Sequence, residues 1–386
     1  MHALMRLLAP TLVCVVSLGM SFAQTSNLPA TPDDRSLGAI AREYRQHKQA
    51  NTAPGGDRSQ SSAPPSSEEL QDRYMREIKL LLDQGNLDRL EKEADGARRN
   101  KTRFPGGVWK LYVFYEALGE PAGGSQASDA EWVGLIETLR RWTEIKPESV
   151  TARVALAQAY LGWGYKARGH AYSYKVTEQG WMLLGERLQF ASLALKQAAG
   201  LKAKCPHWYV VLLNVARTQG WEKAHVRAVF EKAIAFEPDY YHYYREYALY
   251  LMPKWAGEDG EAEAFAQQAS NRISGKQAAF IYFEIATVLN CSCGDRGRHL
   301  DNMSWPKIKE GYAALEELYG VSNRKLNRFA YLAVLARDRA AASEAFKRIG
   351  ENWDAEIWRS EENFEYFKVL AKRPANASSV PASGTN

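Results

Sequence analysis

Two short stretches of this chain carry residue types that can bind metal ions or move protons. In the first, Cys291 and Cys293 precede His299, a C-x-C-x5-H spacing on which a metal site can be drawn. Structural zinc sites instead use C-x2-C pairs and four ligands, and the chain has no second such pair. We therefore expect no metal. Two alternatives stay open for the pair: one disulfide that uses one of its cysteines, or free thiols at a helix end.

The second stretch surrounds His170, and histidine is the residue type that can change its charge near neutral pH. It brings Arg168 and Trp181 close in sequence, together with Tyr172, Tyr174 and Glu178. Such a set is typical of a hydrogen-bonded corner between helices, and it is also the place where a small ligand would bind. The chain has no H-E-x-x-H, G-x-S-x-G or phosphate-loop pattern, so the sequence favours a non-catalytic protein without a cofactor.

Composition narrows the class of protein. The chain has 386 residues, of which 46% are hydrophobic and 25% charged, which excludes a wholly disordered chain and a polytopic membrane protein. Lys and Arg total 50 against 45 Asp and Glu, an excess too small to indicate a nucleic-acid partner. The one dense basic run, residues 98–103, is interpreted as a solvated helix end.

The N-terminus predicts export. Arg6 precedes an apolar run from Leu7 to Phe22, and the run ends at a small-x-small site, so residues 1–23 are expected to be a signal peptide cleaved after Ala23. Acylation of Cys14 is disfavoured because the preceding Val13 is bulky. We expect a periplasmic or secreted protein without a stable membrane anchor.

Residues 24–67 are predicted to form a disordered arm, because ten of the seventeen residues from Asn51 to Ser67 are Pro, Gly or Ser. A short amphipathic helix is predicted at 36–48. The tail at 373–386 is also expected to be disordered.

Between residues 68 and 372 apolar residues recur at helical spacing, and no segment alternates with a period of two. This pattern predicts an all-α domain of antiparallel helices joined by short breaks. The predicted runs are Leu70 to Leu82, Trp109 to Leu118, Glu131 to Ile145, Thr151 to Tyr165, Met182 to Ala199, Val226 to Phe236 and Tyr240 to Leu251.

The segment from Phe230 to Pro238 resembles the end of a tetratricopeptide repeat, which has a period of roughly 34 residues. Numbering from Pro147, Pro206 and Pro238 aligns three units, and a fourth is aligned on Ala342, Phe346 and Ile349. All four have alanine at position 8, where two helix backbones must approach closely. An insertion between Gly162 and Gly185 enlarges the first unit. The alanines are Ala157, Ala216, Ala248 and Ala330.

The resemblance implies a helical-repeat solenoid that binds a protein or peptide in a groove lined by the first helices. The residue types at the groove positions differ from the Lys/Asn clamp of chaperone-binding repeats. A C-terminal carboxylate ligand is therefore not expected. By the family numbering, the groove residues are Gln158, Arg217, Trp221, His242, Arg245, Arg324, Asn327 and Tyr331. Clustered tyrosines such as Tyr244 and Tyr247 are interpreted as packing between repeats.

Ordered aromatic signatures between about residues 70 and 371 also resemble a bacterial family known as domain of unknown function 4034. That family implies the same repeat fold and no activity. It is carried by segments such as Cys205-Pro206-His207-Trp208-Tyr209 and Leu251-Met252-Pro253-Lys254-Trp255. The sequence therefore predicts an exported scaffold that binds a protein or peptide. An enzyme or small-ligand binder using the region of His170 and Trp181 is the alternative.

Overall fold

The computed structural model describes residues 64–169, 173–291 and 298–372, and this part of the chain is helical without a β-strand. The all-α prediction is confirmed for these residues. The predicted signal peptide, the helix at 36–48 and the tail lie outside them. The described helices are α1 (Ser67–Asp83), α2 (Leu87–Asn100), α3 (Lys110–Leu118), α4 (Asp129–Ile145), α5 (Val150–Arg168), α6 (Glu178–Ala199), α7 (Pro206–Gln219), α8 (Lys223–Phe236), α9 (His242–Tyr250), α10 (Glu261–Arg272), α11 (Gly275–Cys291), α12 (Trp305–Tyr319), α13 (Asn323–Leu335), α14 (Arg339–Ile349), α15 (Ala355–Trp358) and α16 (Glu361–Lys372).

Several helices begin at side chains that cap them. Ser66 and Ser128 each accept a hydrogen bond from the backbone N–H three residues later. The glutamates at those positions, Glu69 and Glu131, accept bonds from the backbone N–H of the serines. These capping boxes satisfy amide groups that have no partner inside the helix. Pro206 opens α7, where its missing N–H costs nothing.

Consecutive helices pack as antiparallel pairs. In α5 and α6 the ring of Tyr160 contacts that of Phe190, with centroids 5.2 Å apart. One turn further along α5, Gly164 lies against Leu184, which comes earlier in α6. Residue numbers rise along one helix while they fall along the other, so the two helices run in opposite directions.

The predicted insertion between Gly162 and Gly185 lengthens this helix pair. The α5 helix has 19 residues and α6 has 22, whereas α7 and α8 have 14 each. A short 3-10 helix, Ser173–Lys175, lies in the connection between α5 and α6. The segment that the sequence analysis interpreted as an insertion therefore spans the end of α5 and the start of α6.

The odd-numbered helices from α1 to α13 form a row in which each helix contacts the next. Neighbours in this row are parallel. Tyr209 in the first turn of α7 packs on Tyr243 of α9, with ring centroids 6.0 Å apart. Further along the same two helices, Arg217 pairs with Glu246. We refer to this set of helices as the odd row.

The odd row returns to its first member, because α13 contacts α1. Glu68 in the first turn of α1 accepts a hydrogen bond from the Ser322 hydroxyl at 2.7 Å and one from the backbone N–H of Arg324 at 3.0 Å. Contacts also cross the row, since Tyr112 of α3 stacks on His242 of α9 with ring centroids 3.7 Å apart. The row therefore curves, so that α9 contacts α3 directly.

A tight loop at residues 102–110 joins the two ends of the row. Gly106 and Gly107 both have φ at +80°, a conformation that disfavours other residues. The N–H of Gly106 donates to the carbonyl of Tyr319 at 3.1 Å. A Cβ on Gly106 would lie 2.3 Å from the Cβ of Ser322, so only glycine permits this approach.

The basic run at 98–103 is only partly the solvated helix end that the sequence predicted, because Arg99 and Lys101 are exposed at the end of α2 whereas Arg98 and Arg103 are partly buried. Arg98 donates to the hydroxyl of Thr151 at 3.0 Å. Arg103 lies over the ring of Trp109, 4.5 Å from its centroid, and donates to the carbonyl of Asp239 at 3.2 Å. These contacts attach the segment before α3 to the starts of α5 and α9.

The four alanines predicted at position 8 are all fully buried. Tyr244 and Tyr247 are buried as well, which confirms that they pack between helices. Within the described ranges, no helix combines the length and the apolar character needed to cross a lipid bilayer.

Candidate functional site

Four of the eight residues predicted to line a groove lie on α5, α7 and α9, and each of these helices contacts α3. They are Gln158, Arg217, His242 and Arg245. Two of these contact carboxylates that the sequence analysis did not select, Glu116 and Glu246. We call Glu116, Gln158, Arg217 and Glu246 the inner site.

Glu116 is a half-buried carboxylate near the end of α3. Gln158 Nε2 donates to Glu116 Oε1 at 3.3 Å. Burial, together with repulsion from Glu120 and Glu246, raises the pKa of Glu116 to about 7, although a hydrogen bond with Tyr112 opposes the shift. Glu116 therefore changes its charge near neutral pH.

The Nη2 atom of Arg217 is held by partners within the protein, whereas its Nε atom is buried without a hydrogen-bond partner among the described residues. Its Nη2 atom donates to Asn214 Oδ1 at 2.9 Å and to Glu246 Oε2 at 3.2 Å. The guanidinium also lies over the ring of Trp255, 4.6 Å from the centroid. Because the side chains of Arg217 and Glu246 are only 10% and 18% exposed, this ion pair is largely removed from water.

His242 is buried against two rings. It stacks on Tyr112 at 3.7 Å and on Tyr241 at 4.1 Å between centroids. Burial lowers the pKa of His242 well below its usual value, and the positive charge of Arg245 acts in the same direction. The imidazole is therefore neutral at physiological pH and serves as a packing group.

Arg245 contributes to a separate buried ion network. Its Nη1 atom donates to Glu284 Oε2 at 2.8 Å and to the hydroxyl of Thr287 at 2.9 Å. Glu284 is fully buried and also accepts a bond from Lys325 Nζ at 2.5 Å. Burial lowers the pKa of Lys325 to about 8, although Glu284 opposes that shift. One carboxylate thus holds two cations.

Arg324, Asn327 and Tyr331 lie where α13 meets α15 and α16. Arg324 Nε pairs with Asp354 Oδ2 at 3.1 Å. The fully buried Asn327 accepts a bond from the indole of Trp358 at 2.6 Å, and Tyr331 packs on the same indole. The structure does not bring these three residues to the inner site.

Three other candidates lie beyond the inner site, near the C-terminal ends of α5 and α7. The carbonyl of Trp221 accepts a bond from the Tyr250 hydroxyl at 2.6 Å. The Arg168 guanidinium lies 5.3 Å from the ring centroid of Trp181, and Trp181 is 42% exposed. The predicted partner His170 lies outside the described residues.

Cys205 is a free, buried thiol just before α7, with the Tyr115 hydroxyl 3.3 Å from its sulfur. The side chains of Cys291 and Cys293 lie outside the described residues, and the free thiol of Cys205 means that the structure has no bridge from Cys205 to either of them. His299 Nδ1 lies 2.6 Å from Glu263 Oε1. Within 64–169, 173–291 and 298–372, no three His, Cys, Asp or Glu side chains are grouped so that they could hold a metal ion.

The carboxylates missed by sequence reasoning share one signal. Glu116 is the only acid in α3, and Glu284 is the only acid in α11, and both helices are otherwise largely apolar. A lone carboxylate in such a helix is costly to bury unless it has a partner. Glu284 has two cations, whereas Glu116 has an amide, a phenol and other carboxylates nearby. Glu116 therefore differs from Glu284 in having no cation among its described contacts.

Comparisons with protein-family models, with curated proteins and with solved structures found no match to this chain. The resemblances drawn from the sequence therefore stay predictions, and the function is argued from the geometry of the site.

Proposed function

We propose that this chain is an exported, non-catalytic helical-repeat protein of the tetratricopeptide type that binds a protein or peptide partner. The antiparallel helix pairs, the parallel odd row and the four buried alanines at position 8 support the repeat interpretation. The partner contacts the inner site and presents a basic side chain to it.

The observation that carries this proposal is the environment of Glu116. Burial and two nearby carboxylates raise its pKa to about 7, so its charged form is disfavoured in the free protein. A lysine ammonium or an arginine guanidinium beside Glu116 would remove that penalty. Each unit by which the bound cation lowers the pKa of Glu116 contributes about 1.4 kcal/mol to binding.

A carboxylate ligand fits the site less well. The charges of Arg217 and Arg245 are already balanced by Glu246 and Glu284, so an anionic ligand would have to compete with those internal partners. Trp255, which lies over Arg217 and is 37% exposed, offers an apolar contact next to the inner site. Aromatic and arginine neighbours of this kind often contribute most to peptide binding.

Selection of displayed random peptides on the purified mature chain tests the proposal. The enriched peptides should share a lysine or arginine, and replacing it by norleucine should weaken binding at least about tenfold. Glu116→Gln should cause a similar loss. Glu137→Gln, at an exposed position of α4, is the matched control and should bind normally. Enrichment without a basic residue, or unchanged binding by Glu116→Gln, would contradict the proposal.

Export is tested separately. We expect the mature protein recovered from the periplasm to begin at Gln24, because the apolar run and the small-x-small site coincide only there. Mass spectrometry of the intact protein measures this directly. Detection of a chain acylated at Cys14 would instead show a lipoprotein.

A further inference from the structure

A cavity of about 120 Å³ lies between α8, α9 and α10. Its buried end is formed by the rings of Phe230, Tyr247 and Phe265, each at most 7% exposed. The first two rings are stacked with centroids 4.4 Å apart, and Phe265 meets both edge-on at 5.2 and 4.9 Å. An apolar cavity of roughly 150 Å³ holds benzene. The α8–α10 cavity, as we call it, can therefore take most of one planar ring, with the polar end of a ligand at its mouth.

Ion pairs connect α8 to α10 on both sides of this cavity. Lys223 Nζ lies 2.7 Å from Glu261 Oε2, and two turns further along α8 Glu231 Oε1 lies 2.7 Å from Arg272 Nη1. Glu231 and Glu261 are the acids that line the cavity, and each has a cation from the opposite helix. A cationic ligand would have to compete with these internal partners.

Arg227 lies midway between the two ion pairs. It is four residues after Lys223 and four residues before Glu231, so the three side chains follow one side of α8. The α10 residues that line the cavity between the pairs are uncharged. Among the described residues Arg227 has no carboxylate partner, and its guanidinium bonds to the hydroxyl of Tyr247. Its charge is exposed at the mouth of the cavity, where a ligand reaches it from solvent.

The same mouth offers further hydrogen-bond donors to an anion. A guanidinium only donates, so the Tyr247 hydroxyl accepts from Arg227 and keeps its own O–H for another acceptor. Burial raises the pKa of Tyr247, although Arg227 opposes the shift, so the phenol stays protonated at neutral pH. Gln268 also lines the cavity, and its exposed amide can donate as well. A carboxylate accepts such bonds at two oxygens, and a bond from arginine is among the stronger kinds.

We propose that the α8–α10 cavity binds a small aromatic carboxylic acid, with its ring against Phe230, Tyr247 and Phe265 and its carboxylate beside Arg227. Aromatic neighbours favour a planar ring in stacked or edge-on contact. The volume limits the ligand to a single ring. An inorganic anion would use Arg227 but would leave the aromatic end of the cavity without a partner.

This cavity is distinct from the inner site, although both use α9. Glu246 of the inner site pairs with Arg217 of α7, whereas the next residue, Tyr247, packs between α8 and α10. The two side chains therefore leave α9 on different sides. Binding of a small acid goes beyond the proposed partner binding and is independent of it.

Isothermal titration calorimetry of benzoate into the full mature chain tests the class of ligand. Benzoate is the probe, and we expect it to bind with a Kd of about 0.1 to 1 mM. Benzamide keeps the ring without the charge, acetate keeps the charge without the ring, and each should bind at least about tenfold more weakly. No saturable binding of benzoate up to about 10 mM, or equal binding of benzamide or acetate, would overturn the proposal.

Variants test the place of binding. Arg227→Gln should weaken benzoate binding at least about tenfold by removing the charge. Ala264→Leu keeps every charge but enlarges an exposed side chain that lines the cavity, and it should weaken binding as much. Lys232→Gln, at an exposed position of α8 outside the lining, is the matched control and should bind as the wild type does. Circular dichroism checks that all three keep their helices. Unchanged binding by Arg227→Gln or Ala264→Leu, or an equal loss in Lys232→Gln, would overturn the assignment to this cavity.

Discussion

Glu116 is a carboxylate without a nearby cation, which is unusual for a residue that only stabilises the fold. Its carboxylate has no cation among its described contacts, whereas Glu246 has Arg217 and Glu284 has two cations. Its pKa of about 7 means that the fold does not stabilise the charged form. Groups held in this way are common at binding sites, because a ligand supplies the missing interaction.

The pKa of Glu116 predicts a pH dependence of stability. Its usual value is 4.5 and its folded value about 7, so the folded chain binds more protons than the unfolded chain between these two values. The stability contributed by Glu116 is therefore present at low pH and is lost as the pH rises through 7. Glu116→Gln should match the wild type near pH 4.5 and exceed it above pH 7, by at most about 3 kcal/mol.

Urea unfolding of the wild type and of Glu116→Gln, from pH 4.5 to above pH 7, measures the difference in their free energies of unfolding. Glu137→Gln serves as the control for loss of an exposed carboxylate and should follow the wild type at every pH. Identical curves for Glu116→Gln and the wild type would show that Glu116 titrates normally in the fold.

At the scale of helices, the periodicity of apolar residues predicted where helices lie along the chain. The predicted run from Trp109 to Leu118 corresponds to α3 (Lys110–Leu118), and the run from Glu131 to Ile145 lies within α4 (Asp129–Ile145). The α4 segment was found because one apolar stripe marks its buried face, and the α3 segment because it is apolar on nearly every side and therefore buried. The loop at 102–110 could not be predicted, because its Pro-Gly-Gly sequence indicates a chain break but not the distant helix that it contacts.

The close packing of the first helices gives a test of the repeat numbering. Ala216 in α7 is fully buried, so Ala216→Leu should lower the free energy of unfolding by about 1 to 3 kcal/mol through overpacking. Ala235→Leu makes the same change at an exposed position of α8 and should have little effect. Chemical denaturation compares the two, and equal small effects would mean that Ala216 does not lie at a close approach.

The loop at 102–110 gives a second test. Gly106→Ala places a Cβ against Ser322 and also strains a backbone at φ +80°, so it should destabilise by about 2 to 4 kcal/mol. Gly85→Ala has a similar φ of +64° but open space around it, and it should cost only about 1 kcal/mol. Thermal unfolding distinguishes the two. A Gly106→Ala protein as stable as Gly85→Ala would argue against close contact between this loop and α13.

The arrangement of the whole molecule depends on contacts that a sequence pattern does not reveal. Glu68 and Ser322 are 254 positions apart, and their hydrogen bond closes the odd row. The repeat numbering selected Gln158 and Arg217 but not the other half of the inner site. Glu116 lies before the first numbered unit, and Glu246 occupies a position to which the repeat resemblance assigns no ligand contact. The site exists because α3 folds back against three later helices.

The most direct test of the proposed function is the proton released when a selected basic peptide binds. Calorimetric titration at pH 7 in buffers of different ionisation enthalpy measures this number. If the peptide cation contacts Glu116, binding should release about half a proton at pH 7 and almost none above pH 8.5, because the carboxyl is then already ionised. Glu116→Gln should release none and bind at least about tenfold more weakly. A binding enthalpy independent of the buffer, with equal affinity for the wild type and Glu116→Gln, would contradict the claim that the inner site holds the basic group of the partner.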